Sequence, residues 1–375
     1  VEHIRHQSKV NFNNSISNVD LIVGAPTGKL NLLLYSVFRI GAPTNNISWQ
    51  SFETISNHSA VKWAVPISLG DSHKGYRVLG TTSAYFEHYK YGSGQSITVD
   101  KGSVFNHVQE VVLGSKVAND LNYQIGDNIF LSHGIGKTSF SQHDQLAFEV
   151  VGIITPTGTP IDQTIHVSLQ GIEAVHIANP QKILGNQPVA IDSLDQRTLA
   201  PKSITAAFVG LNSKMLIFQL RRAINTNDKE AMMAVLPGAT LSEFWQSLAV
   251  MENTLRLISS LIVMSALLGL SAMLFTSIRE RKQEIALLRM LGASSIFVFF
   301  FIQLEALMIV ITSVVIATLS LYVSLTFAQD FLIAQYGLAI STNFITTNTL
   351  LSLTMVLLLT LLSALPSALK VNNTN

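Results

Sequence analysis

His133, His143 and Asp144 lie close enough in the chain to bring two imidazoles and a carboxylate to one transition-metal ion, a donor set zinc accepts. All ten histidines precede Asn179, however, and scattered histidines on a polar surface account better for these three, so no metal is expected. Two lysines invite comparison with phosphate-binding loops. "GAPTGKL" from Gly24 has three residues between its glycines and Leu30 where Ser or Thr would meet magnesium. "GIGKTS" has Lys137 and Thr138 but Leu131 in place of the first glycine. HExxH, GxSxG and a paired-carboxylate arrangement are absent, so this chain is not expected to be an enzyme.

The densest chemistry is instead in Ser277–Ser294, "SIRERKQEIALLRMLGAS". Arg279, Glu280, Arg281, Lys282, Glu284 and Arg289 crowd together there, in a chain with only 13% charged residues. The segment favours helix throughout. On a helix, Ile285, Leu288, Met290 and Leu291 form an apolar edge, while Arg281 and Glu284 share a charged face at i and i+3. Gly292 is placed to stop it. A plain turn between membrane helices needs only a few basic residues, so an amphipathic helix on the membrane surface is the better explanation.

Apolar walls position that island. Leu255–Ile278, about Ile296–Phe327 and about Leu350–Leu369 each reach the roughly 20 residues that cross a hydrocarbon core of about 30 Å. Arg279, Arg281, Lys282 and Arg289 lie between the first two windows, and Ala328–Thr349 between the last two has no Lys or Arg. The positive-inside rule puts the island in the cytoplasm and Val1–Met251 outside. An external region of that size needs a preceding signal or span, and "VEHIRHQSKVNFNNSI" reads as the polar exit of a transmembrane helix, so an N-terminal span is expected before Val1. Glu305 falls about 15 Å along the second span, where an ionisable group is usually paired or functional. Arg279 or Arg289 is its expected partner. Ser265, Gly269 and Ala272, with Ala266, give small-residue spacing suited to close helix packing.

The external part is mixed α/β. "QEVVL" at Gln109–Leu113, "AFEVVGIIT" at Ala147–Thr155, "TIHVSL" at Thr164–Leu169, "ITAAFVGL" at Ile204–Leu211 and "AMMAVL" read as strands, with helical "GSKVANDL", "QGIEAVHIA" and "SKMLIFQLRRAIN" between them. "TLSE" from Thr240 has capping-box spacing. The helix it starts meets no Pro or Gly before the first apolar window, and one continuous rod is expected. The net charge of +1 gives no basic face for nucleic acid, and zero cysteines exclude disulfides and thiolate sites.

At this point a family becomes visible. "RERKQEIALLRMLGAS" followed by "IFVFFFIQLEAL" resembles the R-x-x-E-I-x-x-L-R-x-x-G-A-S segment of FtsX-like permeases, the membrane subunits of MacB- and LolCDE-type ABC transporters. "NFNNSISNVDLIVGAPTG", "VVLGSKVANDLNYQIGDNIFL" with "FEVVGIIT", and "ALPSALKV" are similar to other parts of that family. The resemblance implies an α-helical integral membrane protein of four spans, three of them in this chain, with a large mixed α/β extracytoplasmic domain. It divides the chain into a MacB-like core domain over 1–239, a stalk helix entering the membrane over 240–278 and a cytoplasmic coupling helix over 279–293. Then follow a span over 294–327, an external loop over 328–349, a span over 350–370 and a tail over 371–375.

The resemblance further implies an inner-membrane, multi-pass permease paired with a second copy or paralogue. An ABC ATP-binding subunit would engage it from the cytoplasm, carrying the ATP and magnesium, with no cofactor on this chain. Membrane lipids and a periplasmic adaptor or lipoprotein complete the expected partners. Arg279–Gly292 would be the coupling helix, with Ile285, Leu288 and Leu291 docking and Arg281, Glu284 and Arg289 fixing register. The implied task is mechanotransmission that exports or extracts a hydrophobic or peptidic substrate. Regulation of a cell-wall hydrolase and a membrane-anchored sensor without an ATPase are the alternatives.

Overall fold

The computed structural model describes residues 15–133, 142–177, 199–336 and 347–372. The chain divides into two compact units, Arg5–Trp245 and, in the other, Gln246–Asn375 with Val1–Ile4.

The first unit is built on a mixed ten-stranded sheet. Its strands are β1 (Leu21–Gly24), β2 (Val61–His73), β3 (Tyr76–Thr81), β4 (Val99–Gly102), β5 (Glu110–Leu113), β6 (Asn128–His133), β7 (Gln142–Ile154), β8 (Thr164–Ser168), β9 (Ala206–Leu211) and β10 (Met233–Val235). They run β10-β1-β9-β2-β3-β8-β5-β7-β4, with β6 pairing to β7 and β2. β8 with β3 and β7 with β5 are parallel pairs; the other pairings are antiparallel. β2 and β3 form a hairpin whose turn puts Lys74 and Gly75 at positive φ, 47° and 90°, the geometry of a two-residue turn that suits strand twist.

Both faces of the sheet are covered, which explains why its central strands read as continuous apolar runs. In β9, Ala206 and Phe208 join one core with Ile22, Val65 and Leu79, while Ala207 and Val209 join another with Leu21, Val23 and Phe52. A third core gathers Val111, Leu113, Ile165 and Val167 with Val117 and Val175. Among the described residues, six helices supply the cover: α1 (Lys29–Phe38), α2 (Trp49–Ser56), α3 (Ala84–His88), α4 (Ser115–Leu121), α5 (Leu169–Ile177) and α6 (Ile217–Asn225). "ITAAFVGL" is divided rather than continuous. Ser203–Ile204 pairs with Ile47–Ser48, and Thr205 leaves that ribbon to exchange side-chain hydrogen bonds with Leu69 of β2 before β9 begins.

Four further helices follow: α7 (Pro237–Glu280), α8 (Lys282–Met290), α9 (Ser295–Tyr336) and α10 (Thr347–Asn372). α7 starts earlier than the "TLSE" spacing predicts. Pro237, with its fixed φ and no N–H to satisfy, opens the helix, and the Thr240 N–H already bonds Leu236 O at 3.0 Å. Thr240 is thus a buried first-turn residue and not the cap. From there α7 runs 44 residues without a break, about 66 Å. α7 and the Ile296–Phe327 part of α9 are long and apolar enough to cross a membrane. Their large side chains stay uncovered within the chain, as with Leu268 at 66% and Val315 at 59% exposure, unlike the core helices of a soluble protein. The 26 residues of α10 make about 39 Å of helix.

Candidate functional site: the α7–α8–α9 turn

The charged island folds as a short helix held between two long ones. α7 stops at Glu280, and Arg281 alone joins it to α8, with φ −91° and ψ 18°. The ladder barely opens there: Arg281 N–H bonds Ser277 O and Ile285 N–H bonds Arg281 O, both at 3.0 Å. At the far end Gly292 has φ 96°, Gly292 N–H bonds Arg289 O and Ala293 N–H bonds Leu288 O. These paired bonds make a Schellman stop, and only glycine enters that backbone region freely. Ser294 then caps α9, its Oγ accepting from Phe297 N–H at 3.2 Å.

Side chains sort by face. Ile285 is half-buried against Ile278, Val298, Phe299 and Ile302. Its half-buried side chain is engaged with the chain's own helices, and Leu288, one turn further on and lining the same cleft, is 41% exposed. The outward apolar surface is Leu287, Leu288, Met290 and Leu291, with Met290 and Leu291 at 76% and 85% exposure. Arg279 and Glu284 are exposed and Arg289 is half-buried.

Glu305 is paired, though with neither expected arginine. Its Oε1 lies 3.6 Å from Arg281 Nη1. The pair borders a cleft of about 120 Å³ that Glu284, Ile285, Leu288 and Phe301 also line. The single-residue break at Arg281 turns that side chain toward α9; with no Gly or Pro nearby, sequence carried no signal of the break.

Ser265, Gly269 and Ala272 lie on an exposed face of α7, and a Cβ on Gly269 would meet nothing within 4 Å. Within the chain, Leu270 and Leu274 of α7 pack with Ala306 of α9, and Ile278 with Val298 and Ile302. Ser271 Oγ donates to Ser363 O of α10 at 2.7 Å. His133, His143 and Asp144 sit on β6 and β7, but their side chains lie outside the described residues, as does "GIGKTS" apart from its flanking strand. Among the described residues, no three His, Asp or Glu side chains gather as metal ligands. Lys29 of "GAPTGKL" is ion-paired with Glu243 at 3.3 Å.

The first unit has a separate cleft of about 480 Å³ between α2 and α6. On its wall Glu230 accepts from Ser48 N–H at 2.8 Å and Ser48 Oγ at 2.6 Å. Burial pushes this carboxyl up, but hydrogen bonds from Ser48 and Ser51 outweigh it and hold the pKa below the usual value. Glu230 thereby ties down the start of α2, a structural duty.

Residues 1–225 match the MacB-like periplasmic core domain, and residues 256–375 match the FtsX-like permease C-terminal family. Among solved structures, the periplasmic region of MacB from Actinobacillus actinomycetemcomitans is similar at 12% identity, covering 64% of this chain and 98% of its own, with a TM-score of 0.39. The extracellular domain of the noncanonic ABC-type transporter YknZ from Gram-positive bacteria is similar at 13% identity, covering 58% of this chain and 100% of its own, with a TM-score of 0.34. No curated protein matches the chain. With the core-domain match over 1–225 and the permease match from residue 256, within α7, onward, this chain belongs to the FtsX-like permeases that carry a MacB-like periplasmic core domain.

Proposed function

We propose that this chain is the permease subunit of an inner-membrane ABC transporter that passes mechanical work outward. A partner ATP-binding subunit would hydrolyse Mg-ATP in the cytoplasm. The permease would carry the resulting motion through α7 to its periplasmic domain, moving a hydrophobic or peptidic substrate there. α7, α9 and α10 are its spans in this chain, and a second copy or paralogue completes the pair.

One observation carries this reading: α8 presents Leu287, Leu288, Met290 and Leu291 outward between two apolar helices, beside exposed charges of both signs. A helix meant only to turn the chain would bury those leucines or replace them. An apolar ridge rimmed by charge suits docking to a protein groove, the charges setting register. Leu288→Glu with Leu291→Glu tests it, because both side chains are already exposed. The ATPase subunit encoded with the wild-type chain should co-purify with it and lose at least tenfold of its association with the variant. Equal co-purification with both would overturn the assignment.

A further inference from the structure

A docking helix moves whichever span it is fixed to, and the two ends of α8 differ in this respect. At its start one residue separates it from α7; at its end Leu291–Ser294, with the Gly292 bend, separate it from α9. By chain connection alone, α8 would follow α7 and hinge at Gly292 against α9.

The side chains close that hinge. Val298, Ile302, Glu305 and Ala306 recur at i, i+4, i+7 and i+8, one stripe of α9. Leu270, Leu274, Ile278 and Arg281 make the matching stripe of α7 and its end. Leu274 and Leu270 pack on Ala306, and Ile278 with Ile285 of α8 on Val298 and Ile302. Arg281 tops the seam. Its guanidinium lies along the seam, 3.6 Å from the Glu305 carboxylate about 15 Å up α9, with the Arg281 side chain 52% and the Glu305 side chain 30% exposed within the chain.

We propose that Arg281 and Glu305 form a clamp that locks the α7–α8 joint onto α9, so that the end of α7, α8 and α9 move as one block. Both are positioning residues. The functional consequence rests on the reading of α8 as the ATPase dock; the clamp itself is a property of this chain and is measurable without a partner.

The experiment uses the full chain in nanodiscs, with Glu305→Gln, Arg281→Gln and the charge-exchanged Arg281→Glu/Glu305→Arg. Amide hydrogen exchange over Ile285–Arg289 should quicken at least tenfold in each single variant and return to within threefold of wild type in the exchanged pair. The sequence has no cysteine, so Leu274→Cys/Ala306→Cys can be added to Glu305→Gln to tie α7 to α9 covalently. Oxidation should restore slow exchange, which a role for Glu305 in proton or substrate handling would not produce. Unchanged exchange in the single variants overturns the clamp, as does failure of both the exchanged pair and the cross-link to restore it. Co-purification of the ATPase with Glu305→Gln, scored in the same preparations, should stay at the wild-type level. Its absence even with wild type would count against the docking function and leave the exchange result to decide the clamp.

Discussion

His166 shows how much one buried side chain can set. It lies on β8 with no exposed surface, its ring 5.6 Å from Tyr85 and 5.7 Å from Phe86, and neither ring nitrogen makes a well-formed hydrogen bond, the Val112 backbone nearby favouring its charged form only weakly. Burial, reinforced by the Arg39 guanidinium, pushes its pKa down to about 3. The folded protein therefore holds it neutral, while the unfolded chain protonates it near pH 6.5. Between those values the unfolded state binds the extra proton, so stability falls as pH drops from about 6.5 toward 3. The slope is about 1.4 kcal/mol per pH unit, or about 2 kcal/mol between pH 6.5 and 5. His166→Leu should remove that contribution and leave stability at pH 7 nearly unchanged, since an unpaired polar group is replaced by an apolar one of similar size. His73, also lowered by burial, is present in both proteins and cancels in the comparison. Urea unfolding read by tryptophan emission measures it, because Trp49, Trp63 and Trp245 all belong to the first unit. Identical pH dependence of wild type and variant would refute it. The alternation in "TIHVSL" was legible, but it could not show that the histidine face is covered as well as the Ile165 and Val167 face. That depends on α3, which arrives from another part of the chain.

Elements were legible where their signals are local. "QEVVL" and "TIHVSL" became β5 and β8, and "GSKVANDL" became α4, each within a residue or two. The order of strands was not, because β1 pairs with β9 and β10 across nearly the whole first unit, and no local pattern encodes such partners. Helix ends divide the same way. Thr240 had cap chemistry but lost the position to Pro237, whereas Gly292 ends α8 because its φ of 96° is closed to most side chains. Replacing Gly292 should thus act through the backbone, there being no atom within 4 Å for a new Cβ to strike. Gly292→Asn, which tolerates positive φ, should be mild, and Gly292→Val should destabilise the α8 stop by about 1–2 kcal/mol. The measurement is amide exchange at Gly292 or its substitute and at Ala293, whose bonds to Arg289 and Leu288 form the stop. Equal protection in the Asn and Val variants would show that φ is not what selects glycine.

At the scale of the whole molecule, α7 is the one helix that carries the chain from the first unit into the second, crossing the boundary at Trp245 and Gln246. A helix transmits displacement along its axis only while its hydrogen-bond ladder is continuous; a proline inside it removes one bond and kinks the rod. Val250 lies past the boundary and is 71% exposed, so replacing it disturbs little packing. Val250→Pro removes the N–H that reaches back to Gln246, while Val250→Ala removes the same side chain and keeps the ladder. If α7 is the rod that couples ATP hydrolysis to the periplasmic domain, the two variants must part in one assay alone. Both should co-purify with the ATPase subunit, whose dock on α8 is untouched, and both should give the wild-type urea midpoint by tryptophan emission. On adding ATP, wild type and Val250→Ala should show a change in amide exchange within residues 15–235, and Val250→Pro should lose most of it. A full response in the proline variant would mean that force reaches the first unit by a route other than α7. Loss in both variants would trace the effect to the Val250 side chain and not to the continuity of the helix.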